Sequence, residues 1–146
     1  MLPVLSMYPA IFYEEKEGGY SVIFPDLNHL ATCGETLEEA MAMAVDCLAG
    51  YLYTETLEGN DVPAPTALDK VDPHCEDDEG WEYTKSFVNL VSVDVAEYAQ
   101  QHFNKPVKKT LSIPQWLNDT AVRRKVNFSK VLQNALIAEL NLKKTL

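Results

Sequence analysis

The 146-residue chain has no apolar run approaching the ~20 residues of a membrane helix, so no membrane partner is expected. Its first thirteen residues, MLPVLSMYPAIFY, are apolar but have no basic leader and no clear cleavage site, so they are not expected to be a signal peptide. Cysteine is scarce. Cys33, Cys47 and Cys75 are odd in number and form no C-x-x-C pair, which predicts free thiols in a reducing cytoplasm rather than a disulfide framework. There is no glycine-rich phosphate loop, because Gly18-Gly19 reads as a hairpin turn. No histidine accompanies a Ser or Cys nucleophile motif, so His29 and His102 read as ordinary side chains. His74, Cys75, Asp77 and Asp78 crowd one short loop without a second pair at ligand spacing, and no metal or cofactor is expected.

Basic residues are scarce in most of the chain and then abundant. Residues 1–104 hold 20 of the 22 Asp and Glu but 3 of the 12 Lys and Arg, a net −17. Residues 105–146 hold 2 acids and 9 bases, a net +7. Such a shift predicts a domain boundary, with 1–104 as one domain and 105–146 as the other. It also predicts two partners of opposite sign: a basic protein for the body and nucleic acid for the tail.

In the body, 8-YPAIFYEE-15 and 20-YSVIF-24 are rich in aromatic and β-branched residues around a Lys16–Gly19 turn, which predicts a hairpin. Residues 30-LATCG-34 predict a short third strand. Thr36 with Glu39 forms a capping box, and Leu37, Ala40, Met41, Ala44, Val45, Leu48 and Leu52 continue one amphipathic helix over 35–55. Residues 57–82, with Pro63, Pro65 and Pro73, lose all periodicity and read as a long loop. A buried strand at 86–93 and a helix from Asp94 to Phe103 complete an α+β body in the order β-β-β-α-β-α, with the helices on one face of the sheet.

In the tail, 107-VKKTLSI-113 alternates, with Leu111 and Ile113 on one face and Lys108, Thr110 and Ser112 on the other. Pro114 starts a helix over 114–125. Asn127 caps a second helix whose stripe is Phe128, Val131, Leu132, Ala135, Leu136 and Leu140. A strand and two helices in about forty residues do not bury a core alone. With no disulfide or zinc pattern available, a homodimer is expected, its two strands forming an antiparallel ribbon that fits the DNA major groove. The amides around Asn127, Phe128, Ser129 and Lys130 would hold a phosphate. Dimer and tetramer both remain open.

Two resemblances attach to these motifs. Segment 108-KKTLSIP-114 followed by 127-NFSKVLQNAL-136 resembles a ribbon-helix-helix repressor of the Arc and methionine-repressor type. The resemblance implies base reading by Lys108, Thr110 and Ser112, although Lys109 stands where such strands usually turn an apolar residue inward. Segment 8-YPAIFYEEKEGGYSVIFPDLNHLATCGETLEEAMAMA-44, followed by 57-LEGNDVPAPT-66, resembles the HicB antitoxins. That resemblance implies a degraded ribonuclease-H-like body that blocks a small basic HicA-type ribonuclease toxin and a chain that represses its own operon at operator DNA. Apolar residues beside the hairpin, Phe24, Leu27 and Leu30 flanking Asp26 and His29, are the expected toxin contacts. The alternative is a metal-dependent nuclease delivered to DNA by the tail. It requires converging carboxylates, and the spacing of Asp26, Glu35, Asp46 and Asp94 gives none, so no catalytic residue is expected.

Overall fold

The structure is a computed structural model and describes residues 4–77 and 82–142. The elements are β1 (Ser6–Glu15), β2 (Tyr20–Phe24), β3 (Leu30–Gly34), α1 (Leu37–Glu58), β4 (Tyr83–Val93), α2 (Val95–His102), α3 (Gln115–Arg123) and α4 (Phe128–Glu139). The four strands form one antiparallel sheet in the order β3-β2-β1-β4. The element order of the body is the expected one, and the protein is a mixed α+β fold with four α-helices among the described residues.

The chain divides into two compact units, Met1–Ala99 and Gln100–Leu146. The composition shift predicts the boundary at 104/105, whereas the contacts divide the chain inside α2.

In the first unit, β1 is the inner strand that pairs on both sides. Tyr8, Pro9, Ala10, Ile11, Phe12 and Tyr13 are all buried, so β1 reads as a continuous apolar run instead of alternating. Phe12 stacks on its cross-strand partner Phe87 with ring centroids 5.1 Å apart. Such a pair adds about 0.5–1.5 kcal/mol beyond the area it buries. Helix α1 lays Ala40, Ala44, Leu48, Ala49 and Leu52 into the core. Its start follows the capping prediction: the Glu39 amide donates to Thr36 Oγ1 at 3.1 Å. It runs past the expected end to Glu58, where Gly59 at φ 72° stops it through amide bonds to Glu55 and Thr56 carbonyls. Gly34, just before this helix, has no room for a side chain, because a Cβ there would lie 2.4 Å from the Ala40 nitrogen.

Pro9 occupies the inner strand without cost. The Glu15 amide donates to the Gly19 carbonyl, which fixes the odd-numbered groups of β1 toward β2. The β2 ladder reaches only Ile11, so the missing N–H of Pro9 faces no partner.

In the second unit, α3 and α4 fall where the periodicity predicts them. Pro114 stands at the N-cap of α3, one residue earlier than expected for a first-turn proline. Asn127 caps α4, its side chain accepting the Lys130 amide at 3.0 Å. Lys125 and Asn141, at φ 55° and 52°, take the left-handed position after each helix that glycine usually fills. Residues 104–114 form no strand, so the strand expected over 107–113 is absent from the single chain. A ribbon strand requires a second strand to bond with, and none of the described residues supplies one.

Candidate functional site

Of the long loop expected over 57–82, residues 57 and 58 belong to α1, and residues 59–77 are a strap held by a series of polar clasps. Tyr8 donates its hydroxyl to the Pro63 carbonyl at 2.6 Å. The amide and hydroxyl of Thr66 both donate to the Asp26 carboxylate, at 2.8 and 2.6 Å. Leu68–Lys70 make one short helical turn. Tyr13 donates to the Pro73 carbonyl at 3.0 Å. Beyond it, Tyr83 donates to Asp77 at 2.6 Å, His74 Nδ1 lies 3.0 Å from the Tyr83 hydroxyl, and His29 pairs with Glu76. Bonds to a charged acceptor contribute about 1.5–3 kcal/mol, so the Asp26–Thr66 clasp is the strongest single tie of the strap. Burial, followed by the charges of Asp26 and Tyr51, raises the Tyr8 pKa above its ordinary 10.0. Burial, followed by Cys75 and Glu76, raises that of Tyr13 further.

These clasps bear on the expected toxin face. Phe24 and Leu27 are fully buried, so their side chains are core and present no docking surface. Asp26 is committed to Thr66. Of the five expected residues, His29 is exposed and Leu30 half-buried. The turn carrying them is tight: Asn28 and His29 lie at φ 58° and 55°, and the Leu30 amide donates to the Leu27 carbonyl. Two successive left-handed residues that are not glycine cost energy, which the strap pairing of His29 helps to offset.

The carboxylates weighed for a nuclease have separate structural duties. Asp26 holds Thr66, Asp46 accepts the Tyr98 hydroxyl at 2.9 Å, and Asp94 caps α2 through the Glu97 amide at 3.1 Å. Glu35 is exposed at the entry to α1, its amide bonded to Glu39. Among the described residues, no three His, Cys, Asp or Glu side chains come together to hold a metal ion. His74, Cys75 and Asp77 belong to the strap, and Asp78 lies outside the described residues. The three cysteines are free thiols. Burial first, then the charge of Asp46, raises the Cys47 pKa; burial first, then Glu76, raises that of Cys75. Neither is an activated nucleophile. Among the described residues, no helix is long and apolar enough to cross a membrane.

The candidate DNA residues lie in the second unit. Lys108, Thr110 and Ser112 are exposed on the irregular segment 104–114. At the start of α4, Asn127 Oδ1 already takes the Lys130 amide, which leaves the Phe128 and Ser129 amides as the first-turn donors for an anion. Ser129 Oγ accepts from Gln133 at 3.0 Å. Leu111, Trp116, Val131 and Leu140 are each more than half exposed.

The sequence motifs missed the role of Asp26, because a turn acid and an unperiodic threonine forty residues later share no local signal. The proline content of the strap was the one available hint that it is ordered.

Residues 8–136 match the family model described as the HicB_like antitoxin of bacterial toxin-antitoxin systems. Two curated relatives from Photorhabdus laumondii are similar over part of their length. "Antitoxin HicB 1" is 43% identical over 67 residues, which are 44% of this chain and 43% of that protein. "Antitoxin HicB 2" is 39% identical over 59 residues, 40% of this chain and 42% of that one. The alignments thus span under half the length of the curated relatives. Among solved structures, a chain of the "Toxin-Antitoxin complex from Streptococcus pneumoniae" superposes with a TM-score of 0.60 at 32% identity, over 93% of this chain and 99% of that one. With the family model covering the sheet, the strap and most of the tail, the chain belongs to the HicB-like antitoxin family.

Proposed function

We propose that the chain is an antitoxin with two separable actions. The body occludes a small basic HicA-type ribonuclease, and the tail represses the antitoxin's own operon as a ribbon-helix-helix homodimer on operator DNA. The carrying observation is the family match over residues 8–136. The charge division supports both halves: −17 on residues 1–104 complements the positive surface a ribonuclease needs for RNA phosphates, and +7 on residues 105–146 suits DNA. The ribonuclease-H-like descent of the body belongs to this proposal, as does a cytoplasmic location.

In the tail, Lys108, Thr110 and Ser112 read base edges once two copies of 107–113 pair. Leu111 and Ile113 turn inward, and the α4 start around Asn127, Ser129 and Lys130 holds a backbone phosphate. In the body, His29 and Leu30 remain at the toxin face. Exposed ion pairs contribute only ~0–1 kcal/mol each, so tight occlusion also requires apolar or backbone contact. The chain itself is not expected to catalyse.

The test is reconstitution. The tagged full chain is co-purified with its small basic partner, and RNA cleavage and operator binding are measured separately. Cleavage should stop near one-to-one stoichiometry. Lys108→Ala should leave that block intact while weakening operator binding by about 1–3 kcal/mol relative to random DNA. A chain that leaves cleavage untouched overturns the antitoxin reading. Unchanged operator affinity in the folded variant removes the ribbon from the DNA mechanism.

A further inference from the structure

The sheet has two edges, β3 and β4. β3 is five residues long, and α1 packs against it. β4 is eleven residues long and, among the described residues, pairs only with β1. The direction of its backbone groups follows from the hairpin. The Glu15–Gly19 bond turns the odd-numbered groups of β1 toward β2, so the even-numbered ones bond to β4. Residues opposite Met7, Pro9, Ile11 and Tyr13 must then face away. These are Ser92, Leu90, Val88 and Ser86. Among the described residues, no backbone bond outside the β1 ladder involves any of the four.

Free edges are normally guarded by charge, proline, a bulge or shortness. From Tyr83 to Val93 there is no acid, no proline and one charge, Lys85. The single irregularity lies at the beginning, opposite Glu14 and Glu15. One guard exists: Asn89 Oδ1 folds over the outward Leu90 amide at 2.9 Å. Phe87 and Leu90, each 36% exposed on opposite faces of the sheet, offer an apolar grip on both sides of an added strand. The ends carry acids, Glu82 before the strand, where it also pairs with Lys16, and Asp94, the cap of α2, with Glu97 after it.

We propose that the outer edge of β4 is a strand-docking surface, and that its occupant is an extended basic segment of the ribonuclease partner, added as a fifth strand. This rests on the antitoxin reading and deepens it by naming the surface. Charge selects the occupant. A second copy would bring another −17 against the same edge, whereas a basic strand meets the carboxylates that bracket an acid-free ladder. Backbone bonds then supply the contact that ion pairs alone do not.

The experiment uses the wild-type full chain and the basic ribonuclease that co-purifies with it. Hydrogen exchange is followed at the Ser86, Val88 and Ser92 amides. They should exchange quickly in the free chain and be protected in the complex. Val88→Pro removes an outward N–H while sparing the β1 ladder, and should weaken the complex about tenfold or more. Asn89→Ala frees the Leu90 donor and should tighten it severalfold. If the wild-type chain blocks cleavage while those amides stay unprotected, the edge is not the docking surface, although the antitoxin reading stands. If they become protected only in concentrated chain without the nuclease, the occupant is a second copy and the proposal is overturned. If the wild-type chain blocks no cleavage, the antitoxin reading fails and the edge proposal fails with it.

Discussion

The two units handle apolar residues in opposite ways. The first buries Ile11, Phe12, Tyr13, Val22, Phe24, Leu27 and Leu48 completely within one chain. In the second, no described residue is buried, and Trp116, at 70% exposure, shows how much of its apolar surface faces water. Both have sound local grammar, with caps at Thr36 and Asn127 and left-handed closures at Gly59 and Lys125. Local grammar is therefore not what distinguishes them. The body has enough chain to cover a sheet, whereas the tail, under the proposed dimer, would bury its helix stripes against a second copy.

The contrast breaks most sharply at Leu132, which is half-buried on the stripe of α4. Leu132→Asp should abolish dimerisation and operator binding, because a carboxylate at a dimer core costs about 4 kcal/mol or more. The melting of the body should not change. Sedimentation with a thermal scan checks this, and a variant that stays dimeric would mean the tail completes its core some other way.

The body can be loosened without touching its apolar core. Asp26→Ala removes both bonds to Thr66 and should lower its stability by about 1.5–3 kcal/mol, read by denaturant unfolding. Amides in residues 59–77 should exchange faster, and operator binding should be retained. Equal damage to DNA binding would show that the two units are not separable.

The smallest effect is expected in alkali. Tyr8 and Tyr13 both have folded pKa values above the ordinary 10.0, so the fold favours the protonated phenol. Their contribution is intact below pH 10 and is lost as pH rises beyond it, because the unfolded chain releases those protons first. The stability of the body should fall in that range. Tyr13→Phe, which cannot ionise, should flatten the decline while losing the Pro73 bond. An unchanged alkaline slope would mean that other groups carry it.

Much of this architecture was legible in the sequence. The β1–β2 hairpin, α1 with its capping box, and α4 with its Asn127 cap all rest on contacts within a few residues. The strap was not, because Tyr8–Pro63, Asp26–Thr66 and Tyr13–Pro73 join polar atoms far apart in sequence, with no period to betray them. The same blindness misplaced Phe24 and Leu27. A turn with alternating apolar and polar residues looks exposed in the sequence, yet Phe24 and Leu27 are fully buried in the fold. The tail strand is absent for another reason: among the described residues no second strand is there to bond with it.

The pairing of Ser6 with Val93 has a consequence for timing. Among the described strands of the body, the inner strand β1 is made before the others, yet β4 on its other side is made after them. At about 5–20 residues per second, several seconds of synthesis separate the two, and contacts so distant along the chain are slow to close. During that interval a nascent chain has its hairpin and α1 but no β4, and one side of β1 is without its pairing strand. The sheet of the body is thus incomplete until nearly the whole of it has emerged.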